Sequence, residues 1–346
     1  MSAKRKRRRD GTALLKKLIK ALPACIVILI TTLGLLFGAL VETGLISLPD
    51  IRDKLDFSVF DEAEPVSADS VTTEMPESAK KFRVYAVDVG QADCYIVYAD
   101  GKSVLIDAGE AETSDKVISA LQSLGITRPN YIIATHPHAD HIGGMADVIS
   151  EMGYGKLIVP KLPDDMVPTT SCYEKMLKAV SEKGLKMTAA KAGYVYDITE
   201  IDGQTVTMTV IAPTENAEYS DLNNYSVVVR IDYGSVSWLF TGDLSEEGES
   251  DILASGADID VTALKVGHHG SRSASSEEFL AAVTPRLCLI SCGSGNSYGH
   301  PTDEALSRLE EYTDKIYRTD INGTVVVYSD GSKLYVSCES STEESQ

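Results

Sequence analysis

The sequence has no Cys-x-x-Cys pair and no histidine outside three short motifs. Six cysteines without close pairs predict neither a disulfide framework nor a zinc ribbon. Basic residues are also few, because 32 Lys and Arg stand against 51 Asp and Glu, giving a formal net charge of −19. This balance excludes loose attachment to nucleic acid through a broad basic surface. A short basic strip is still compatible with it, and Lys265, Arg272 and Arg286 near the last motifs are the candidates.

The basic residues concentrate at the start of the chain. Residues 1–20 contain nine Lys or Arg and one Asp, so that residues 21–346 carry a net charge of −27. Residues 21–41 form an uncharged, mostly apolar run of 21 residues, long enough to cross a bilayer as a helix. A removable signal peptide is the alternative, but no small-x-small cleavage site follows the run. We predict a single retained transmembrane anchor, with residues 1–20 cytoplasmic and the domain after the anchor extracellular.

Composition divides the rest of the chain into three parts. Residues 42–80 are rich in Asp, Glu, Ser, Thr and Pro without a sustained period, which predicts an acidic disordered linker. Residues 81–338 alternate short apolar runs with helical patterns, and residues 339–346 form a short acidic tail. Many short strands, hairpin turns and a few helices predict one α/β domain of two packed sheets with helices outside.

Twelve apolar runs predict strands at 82–87, 94–98, 103–106, 131–134, 156–159, 205–211, 226–231, 236–240, 261–266, 287–291, 324–328 and 334–338. Six helical patterns predict helices at roughly 113–124, 142–152, 172–183, 246–254, 276–283 and 302–312.

Three of the six histidines lie in the motif His-Pro-His-Ala-Asp-His at residues 136–141. His136 and His138 follow an apolar run, and side chains two residues apart on an extended segment point to the same side. Asp140 and His141 come next, where a helix begins, and can face a second ion. Neutral imidazole is the commonest metal ligand in proteins, so the motif predicts a metal site.

Two further strand ends carry residues of the same type. Asp243 ends the run Phe-Thr-Gly-Asp and could bridge two ions, while His268 and His269 follow the strand at 261–266. Ligands collect at strand ends in layered α/β folds, so these side chains form one coherent constellation. The alternative is that each residue caps a turn or completes a core hydrogen bond, which is the better explanation only for a lone histidine.

The sequence resembles the metallo-β-lactamase superfamily of metal-dependent hydrolases. Within it, the chain is most similar to the extracellular hydrolase-like domain of the ComEC family of DNA-uptake competence channels. The resemblance is carried, in the family's order, by DVGQAD at 88–93, LIDAG at 105–109, HPHADHIGG at 136–144, NNYS at 223–226, TGD at 241–243, HHGS at 268–271 and YGHP at 298–301. It implies an αββα sandwich, here preceded by a single N-terminal transmembrane helix. The multi-helix channel of ComEC is absent, so a channel is expected only as a separate partner protein.

Carried over position by position, the resemblance implies six metal ligands: His136, His138, Asp140, His141, Asp243 and His268. Superfamily members show Gly-His closing the last strand, which matches Gly267-His268 and leaves His269 to contact the substrate or the ligands. Many members also have a histidine on the strand before the Thr-Gly-Asp turn, where this chain has Asn-Asn-Tyr-Ser at residues 223–226. The resulting oxygen-richer set of ligands suits Mn²⁺ better than Zn²⁺. One or two divalent ions, Zn²⁺ or Mn²⁺, are therefore expected.

Seven other side chains are predicted to contact the ligands or the substrate: Gln91, Asp93, Asp107, Asn224, Ser226, Lys265 and Ser271. Asp107 either orients ligands or is a turn carboxylate. Asn224 and Ser226 either bond a substrate oxygen or hold their loop. Lys265 lies in an apolar strand, so it either pairs with a site carboxylate or lies on an exposed face.

These expectations combine into a membrane-anchored extracellular phosphodiesterase or nuclease acting on DNA. Bound divalent metal would supply hydroxide at neutral pH, oriented by Asp140, and His269 or His300 would assist the leaving oxygen. Structural capping is the alternative for His300. Two other functions stay open: hydrolysis of another extracellular ester (a wall-polymer phosphodiester, lactone or lactam), or a non-catalytic, metal-stabilised module of a DNA-uptake complex. An apolar cleft would favour acyl substrates, and a basic groove would favour phosphodiesters.

Overall fold

The computed structural model describes residues 64–66, 75–215 and 217–339. The predicted cytoplasmic segment 1–20, the anchor 21–41 and the tail beyond residue 339 lie outside these residues, as does most of the linker 42–80. Among the helices that are described, none is both long enough and apolar enough to cross a bilayer. The boundaries of the anchor, the linker and the tail therefore stay predictions.

Within the described residues, sixteen strands form two sheets. The strands are β1 Glu64–Val66, β2 Phe82–Ala86, β3 Tyr95–Ala99, β4 Lys102–Ile106, β5 Tyr131–Ile133, β6 Lys156–Val159, β7 Met187–Ala189, β8 Val195–Ile201, β9 Gln204–Ala212, β10 Val228–Tyr233, β11 Val236–Phe240, β12 Ala263–Lys265, β13 Leu287–Ile290, β14 Ile316–Arg318, β15 Val325–Ser329 and β16 Leu334–Cys338. The first sheet has the order β1-β16-β15-β2-β3-β4-β5-β6-β7, and the second has the order β14-β13-β12-β11-β10-β9-β8.

The described helices are α1 Ser114–Ser123, α2 Ala139–Ile142, α3 Met145–Met152, α4 Ser171–Glu182, α5 Glu246–Ser255, α6 Glu277–Val283, α7 Asp303–Glu310 and α8 Thr319–Asn322. All six predicted helices and all twelve predicted strands are confirmed to within a few residues. The four strands that the sequence did not predict are β1, β7, β8 and β14, which are the four outermost strands of the two sheets. An edge strand is covered on one side only, so its apolar pattern is weaker than that of a central strand.

The two sheets pack face to face, with helices on both outer faces. Val84 and Val97 of the first sheet and Val229 and Trp238 of the second belong to one buried cluster between the sheets. Helices α1, α3 and α4 pack on the outer face of the first sheet, and α5, α6 and α7 pack on the outer face of the second. Because both faces of β11, β12 and β13 are covered, their residues are buried without alternation. This arrangement confirms the predicted αββα sandwich.

The carboxyl ends of the parallel strands in both sheets lie at one edge of the sandwich. Strands β4, β5 and β6 are parallel to one another, as are β11, β12 and β13. Asp107 directly follows β4, and His136 follows β5 by three residues. Asp243 follows β11 and His268 follows β12 at the same distance. Residues from both sheets can therefore meet between these ends.

Candidate metal centre

Four side chains from three strand ends meet in the space between the sheets. One ligand atom from each of Asp140, His141, Asp243 and His269 lies within 4.8 Å of the others. His141 Nε2 lies 3.3 Å from Asp243 Oδ1, and His269 Nε2 lies 3.3 Å from Asp140 Oδ2. His269 Nε2 is also 3.5 Å from Asp243 Oδ2. Two imidazole nitrogens and two carboxylates at this spacing can coordinate one divalent cation.

The ligand atoms themselves indicate that a cation fits the cluster. His141 Nε2, His269 Nε2 and Asp243 Oδ1 are buried and make no hydrogen bond. Buried polar atoms without a partner cost free energy, and their convergence on one point is what a metal site requires. His141 and Asp243 are almost completely buried, whereas the side chain of Asp140 is 30% exposed. Solvent and substrate can therefore reach the cluster on the Asp140 side.

The Nδ1 atoms of His141 and His269, which point away from the cluster, each contact a hydrogen-bond acceptor. His141 Nδ1 lies 2.7 Å from Asp107 Oδ2, and His269 Nδ1 lies 2.9 Å from the carbonyl oxygen of Ser291. Asp107 also accepts hydrogen bonds from the amide and the hydroxyl of Thr135, at 2.8 and 2.6 Å. These contacts fix the rings with Nε2 toward the cluster, which is how metal-binding histidines are usually oriented. Asp107 thus makes the contact that its predicted orienting role requires.

The charges of the cluster shift the pKa values of its members strongly. Burial lowers the pKa of His141, but the carboxylates of Asp243 and Asp107 outweigh it, and the pKa lies well above its usual value. In the same way Asp243, Asp93 and Asp140 raise the pKa of His269 to about 10. Burial raises the pKa of Asp140, but the imidazoles of His269 and His141 hold that pKa below its usual range. Without metal, both imidazoles therefore carry protons that a cation would displace.

His136 and His138 form a second pair of nitrogen ligands beside this cluster. His136 Nε2 lies 3.0 Å from His138 Nδ1, so that both atoms can face one ion. The rings of His136 and His141 are 4.1 Å apart, which places the pair next to the first cluster. Burial holds the pKa of His136 well below its usual value, and the ring is therefore neutral and available as a ligand.

His268 and His269 both face Asp243, from neighbouring positions with left-handed backbone. Their φ angles are 49° and 53°. His268 Nε2 lies 3.6 Å from Asp243 Oδ2, and its side chain is 24% exposed, whereas that of His269 is 2% exposed. The four-residue cluster includes His269 and not His268. The expectation that His268 is the ligand and His269 an accessory contact stays a prediction, and the geometry favours the opposite assignment.

Lys265 pairs with a site carboxylate, which was one of its two predicted environments. Its Nζ lies 2.5 Å from Asp93 Oδ2 and donates a 2.6 Å hydrogen bond to the carbonyl oxygen of Gly242. Asp243 Oδ1 is 3.8 Å away. The Asp93 carboxylate also lies 3.4 Å from His269 Nδ1, so the pair supports the cluster from the side opposite the open face.

Gly242 is required by the close packing of this turn. Its φ is +54°, and a Cβ on it would lie 2.9 Å from both Ser226 Oγ and Thr135 Cβ. Ser226 Oγ accepts a 3.1 Å hydrogen bond from the amide of Asp243 and lies 3.4 Å from His136 Nδ1. Ser226 therefore holds both a carboxylate and an imidazole of the site rather than facing the open side.

Three of the other residues predicted to contact the ligands or the substrate make hydrogen bonds to neighbouring loops. Asn224 Oδ1 accepts a 3.0 Å hydrogen bond from the amide of Ser245, and its Nδ2 donates to Glu247. Gln91 Oε1 accepts a 2.9 Å hydrogen bond from the amide of Gly293. Ser271 Oγ lies 3.0 Å from Ser273 Oγ. These bonds correspond to the loop-holding role for Asn224, and they join Gln91 and Ser271 to loop residues. A contact of Gln91 or Ser271 with a ligand or substrate stays a prediction.

His300 lies at the rim, where it packs against His268. The two rings meet edge to face with centroids 5.6 Å apart. Burial and the neighbouring His268 lower the pKa of His300, so its ring is neutral at pH 7. A neutral imidazole at this position can donate one hydrogen bond to a bound oxyanion.

Sequence reasoning missed two residues that hold the site. The carbonyl oxygen of Ser291 orients His269, and Asn296 accepts hydrogen bonds from the amides of Tyr298 and His300, both at 3.1 Å. The contact of Ser291 could not be predicted from the sequence, because its acceptor is a backbone carbonyl, which every residue has. Asn296 stands in a Gly-Asn-Ser sequence, which is a turn signal that could have been read.

Of the three candidates for a basic strip, only Arg272 suits the role. Lys265 is buried and paired, so it cannot contact a substrate backbone. Arg286 precedes β13 and therefore lies at the opposite, amino end of the parallel strands. Arg272 is exposed, and its charge is close enough to lower the pKa of His300.

An apolar cleft adjoins His136. It has a volume of about 290 Å³ counted to its open mouth. Six of its lining residues are Ala134, His136, Ile142, Val159, Tyr173 and Met176. Apart from His136 and the Tyr173 hydroxyl, these side chains offer no polar group, so the cleft suits an apolar substituent of a substrate.

Comparison with known proteins agrees with this architecture. Residues 87–293 match the family model of the metallo-beta-lactamase superfamily. The chain is 32% identical to ComE operon protein 3 of Bacillus subtilis over 69% of its own length and 32% of the relative's. It is 27% identical to competence protein ComA of Neisseria gonorrhoeae, over 72% of the chain and 32% of the relative. It is 26% identical to recombination protein 2 of Haemophilus influenzae, over 72% and 29%.

The chain thus spans about a third of the length of these curated relatives. The matched region runs from the end of β2 to the loop after β13 and includes the strand ends that supply the Asp and His cluster. With more than half of its residues in this match, the chain belongs to the metallo-β-lactamase superfamily.

Proposed function

We propose that the chain is a metal-dependent phosphodiesterase that acts on DNA outside the cell membrane. The observation that carries the proposal is the buried cluster of Asp140, His141, Asp243 and His269, whose inward-facing ligand atoms have no other hydrogen-bond partner. Metal-dependent hydrolysis is supported by the match to the metallo-beta-lactamase superfamily, whose fold implies divalent metal ions. DNA as the substrate is supported by relatives whose names include competence and recombination proteins.

The cluster can hold one cation through Asp140, His141, Asp243 and His269. His136 and His138 can hold a second one, with Asp243 shared between the two. A bound divalent cation supplies a nucleophile by lowering the pKa of water toward about 7, and it stabilises charge on the reacting oxygens. Since Asn224 is engaged by Ser245 and Glu247, the His136–His138 pair gains no third nitrogen from that loop. We propose Mn²⁺ as the preferred ion, with Zn²⁺ as the alternative.

The chain's own residues position the reactants. Asp140 stays ionised at neutral pH because its pKa is low, and it faces the open side, where its oxygen can orient the attacking water by accepting a hydrogen bond from it. His300 is neutral and can donate a hydrogen bond to the leaving oxygen. Lys265 and Asp93 keep the Gly242–Asp243 turn in place.

The apolar cleft beside His136 supports a second candidate function. Its lining favours an uncharged, apolar substituent over a second phosphate. An ester with such a substituent, for example a lactone or lactam with an apolar chain, would place its carbonyl next to His136. Hydrolysis of an extracellular ester of that kind, or of a wall-polymer phosphodiester, is therefore the alternative to DNA.

We further propose that residues 21–41 anchor the domain in the cell membrane with residues 1–20 in the cytoplasm, on the charge and hydropathy pattern. A separate channel protein is the proposed partner, since two relatives are named for competence operons or proteins.

The test is hydrolysis by the purified full-length chain in Mn²⁺ or Zn²⁺. The substrates are single-stranded DNA, double-stranded DNA, bis-p-nitrophenyl phosphate and p-nitrophenyl acetate. We expect DNA and the phosphodiester to be cleaved, with loss of activity in Asp140→Ala. Asp314→Ala is the matched control, because Asp314 is exposed before β14, at the far end of the strands. Cleavage of the acetate alone would support the ester alternative. Metal binding without turnover of any substrate would support a non-catalytic module.

A further inference from the structure

Tyr298 is an exposed aromatic residue at the rim of the site. Its side chain is 71% exposed, more than the other large apolar residues found exposed in the described part of the chain. It lies two residues before His300, in the loop after β13. An exposed ring beside a candidate active site can bind a planar group of a substrate.

A series of rings connects Tyr298 to the metal cluster. Tyr298 stacks on His300 with centroids 5.8 Å apart and planes at 26°. His300 packs edge to face on His268 at 5.6 Å, and His268 Nε2 lies 3.6 Å from Asp243. Two ring contacts therefore connect Tyr298 to a residue beside the cluster, so that a strand lying on Tyr298 can continue toward the cluster.

The loop presents the ring in a fixed position. Asn296 Oδ1 accepts hydrogen bonds from the amides of Tyr298 and His300, and Asn296 Nδ2 donates a 3.0 Å hydrogen bond to the carbonyl oxygen of Gly293. The amide of Gly293 donates in turn to Gln91 at 2.9 Å, which fastens the loop to the neighbouring motif. A ring that is held before binding loses little conformational entropy when a partner stacks on it.

An exposed cation lies on the neighbouring loop, which the amide of Thr302 joins to the Tyr298 loop by a 2.9 Å hydrogen bond to the carbonyl oxygen of Gly270. Arg272 is exposed, while Arg308 Nη2 fixes its backbone by donating a 3.0 Å hydrogen bond to the Arg272 carbonyl oxygen. An exposed guanidinium suits a phosphate oxygen, and an exposed phenol ring suits a base. The rim thus presents a guanidinium for the phosphate of a nucleotide and an aromatic ring for its base.

We propose that Tyr298 is the stacking platform for the nucleobase adjoining the scissile phosphate, with Arg272 contacting the phosphate next to it. This inference rests on the proposed action on DNA and makes its substrate single-stranded, because only an unpaired base can leave its stack to lie on the ring. Since a stack reads no base edge, the platform accepts any base. Tyr298 is a specificity residue and takes no part in bond breaking.

The first test compares kinetics of the full-length wild type, Tyr298→Ala and Tyr298→Phe in Mn²⁺. For a single-stranded hexanucleotide, we expect Tyr298→Ala to raise KM by about 5- to 150-fold, the range of one base–aromatic stack, with kcat within about twofold. Tyr298→Phe keeps the ring and should restore KM. Methyl p-nitrophenyl phosphate has no nucleobase, so its KM should respond much less to Tyr298→Ala than the KM of the hexanucleotide. Tyr194→Ala is the control, since Tyr194 is also exposed but lies before β8.

The second test measures binding and separates failure of this inference from failure of the proposed function. Fluorescence anisotropy follows a labelled hexanucleotide and the same strand with one abasic position, in Mg²⁺, on the same variants. We expect the wild type to bind the complete strand more tightly than the abasic one, and Tyr298→Ala to bind both equally weakly. Absence of DNA cleavage with this binding pattern would refute only the nuclease activity. Equal binding of the complete strand by wild type and Tyr298→Ala, or no binding by either, would overturn the platform.

Discussion

Replacing Lys265 by Met removes the cation from a buried ion pair of the site. The ammonium is 2.5 Å from Asp93 and donates to the carbonyl oxygen of Gly242, with a side-chain exposure of 2%. The variant leaves a buried carboxylate without its partner, and such a loss costs about 3–5 kcal/mol in the free energy of unfolding. For a domain of this size that free energy corresponds to a fall in Tm of roughly 10 °C.

Urea unfolding of the full-length chain, followed by circular dichroism, measures the loss. Lys315→Met is the matched control, because Lys315 pairs with Asp314 at 3.7 Å on the surface. An exposed pair of that kind contributes about 0–1 kcal/mol. The double variant Asp93→Leu/Lys265→Met should regain much of the stability, since an uncharged pair leaves no buried charge. A loss below about 1 kcal/mol for Lys265→Met alone would refute this reasoning.

Three further predictions follow from the same contacts. Asp107→Asn replaces the carboxylate behind His141 Nδ1 with an uncharged amide that has one acceptor oxygen instead of two. It should weaken Mn²⁺ binding by about 10- to 100-fold in calorimetric titration, and affinity within twofold of wild type would contradict the orienting role. In EDTA, the free energy of unfolding should fall as pH rises from about 6.5 toward 10, because the folded state holds the His269 proton up to a pKa of about 10, and the loss amounts to at most about 5 kcal/mol. Stability that is constant across this window would show that the imidazole is not protonated in the metal-free fold. Asn224→Ala frees the buried amide of Ser245 and should cost about 1–2 kcal/mol in urea unfolding, with kcat for bis-p-nitrophenyl phosphate within about threefold. A large loss of kcat at unchanged stability would instead assign Asn224 to the substrate.

The central part of the fold could be predicted from the sequence because it is specified by apolar runs and by turns, and both are local features of the sequence. Apolar runs mark β9 to β13, and a short turn at Gly234 and Ser235 joins β10 to β11. The outermost strands escaped prediction for a physical reason. In β8, polar residues such as Asp197 and Glu200 alternate with few buried ones, so the run has no clear apolar period.

Part of the candidate site could likewise be predicted from the sequence, and part of it could not. Its motifs could be found in the sequence because imidazoles and carboxylates are the residue types that metals bind. The assignment between His268 and His269 could not, since both follow one strand and the direction of each ring depends on the left-handed backbone there. The partner of Lys265 was equally hidden, because Asp93 lies 172 positions earlier and reaches it only across the two sheets.

Calorimetric titration of Mn²⁺ into the EDTA-treated full-length chain tests most directly whether separate strand ends hold a common cation. Asp243 lies 3.3 Å from His141 Nε2 and 3.5 Å from His269 Nε2 and is almost completely buried, so Asp243→Ala should weaken binding at least about 100-fold. Asp314→Ala should titrate like the wild type, which is expected to bind one or two ions. Indistinguishable titrations for all three proteins, or no binding by the wild type, would contradict the metal centre.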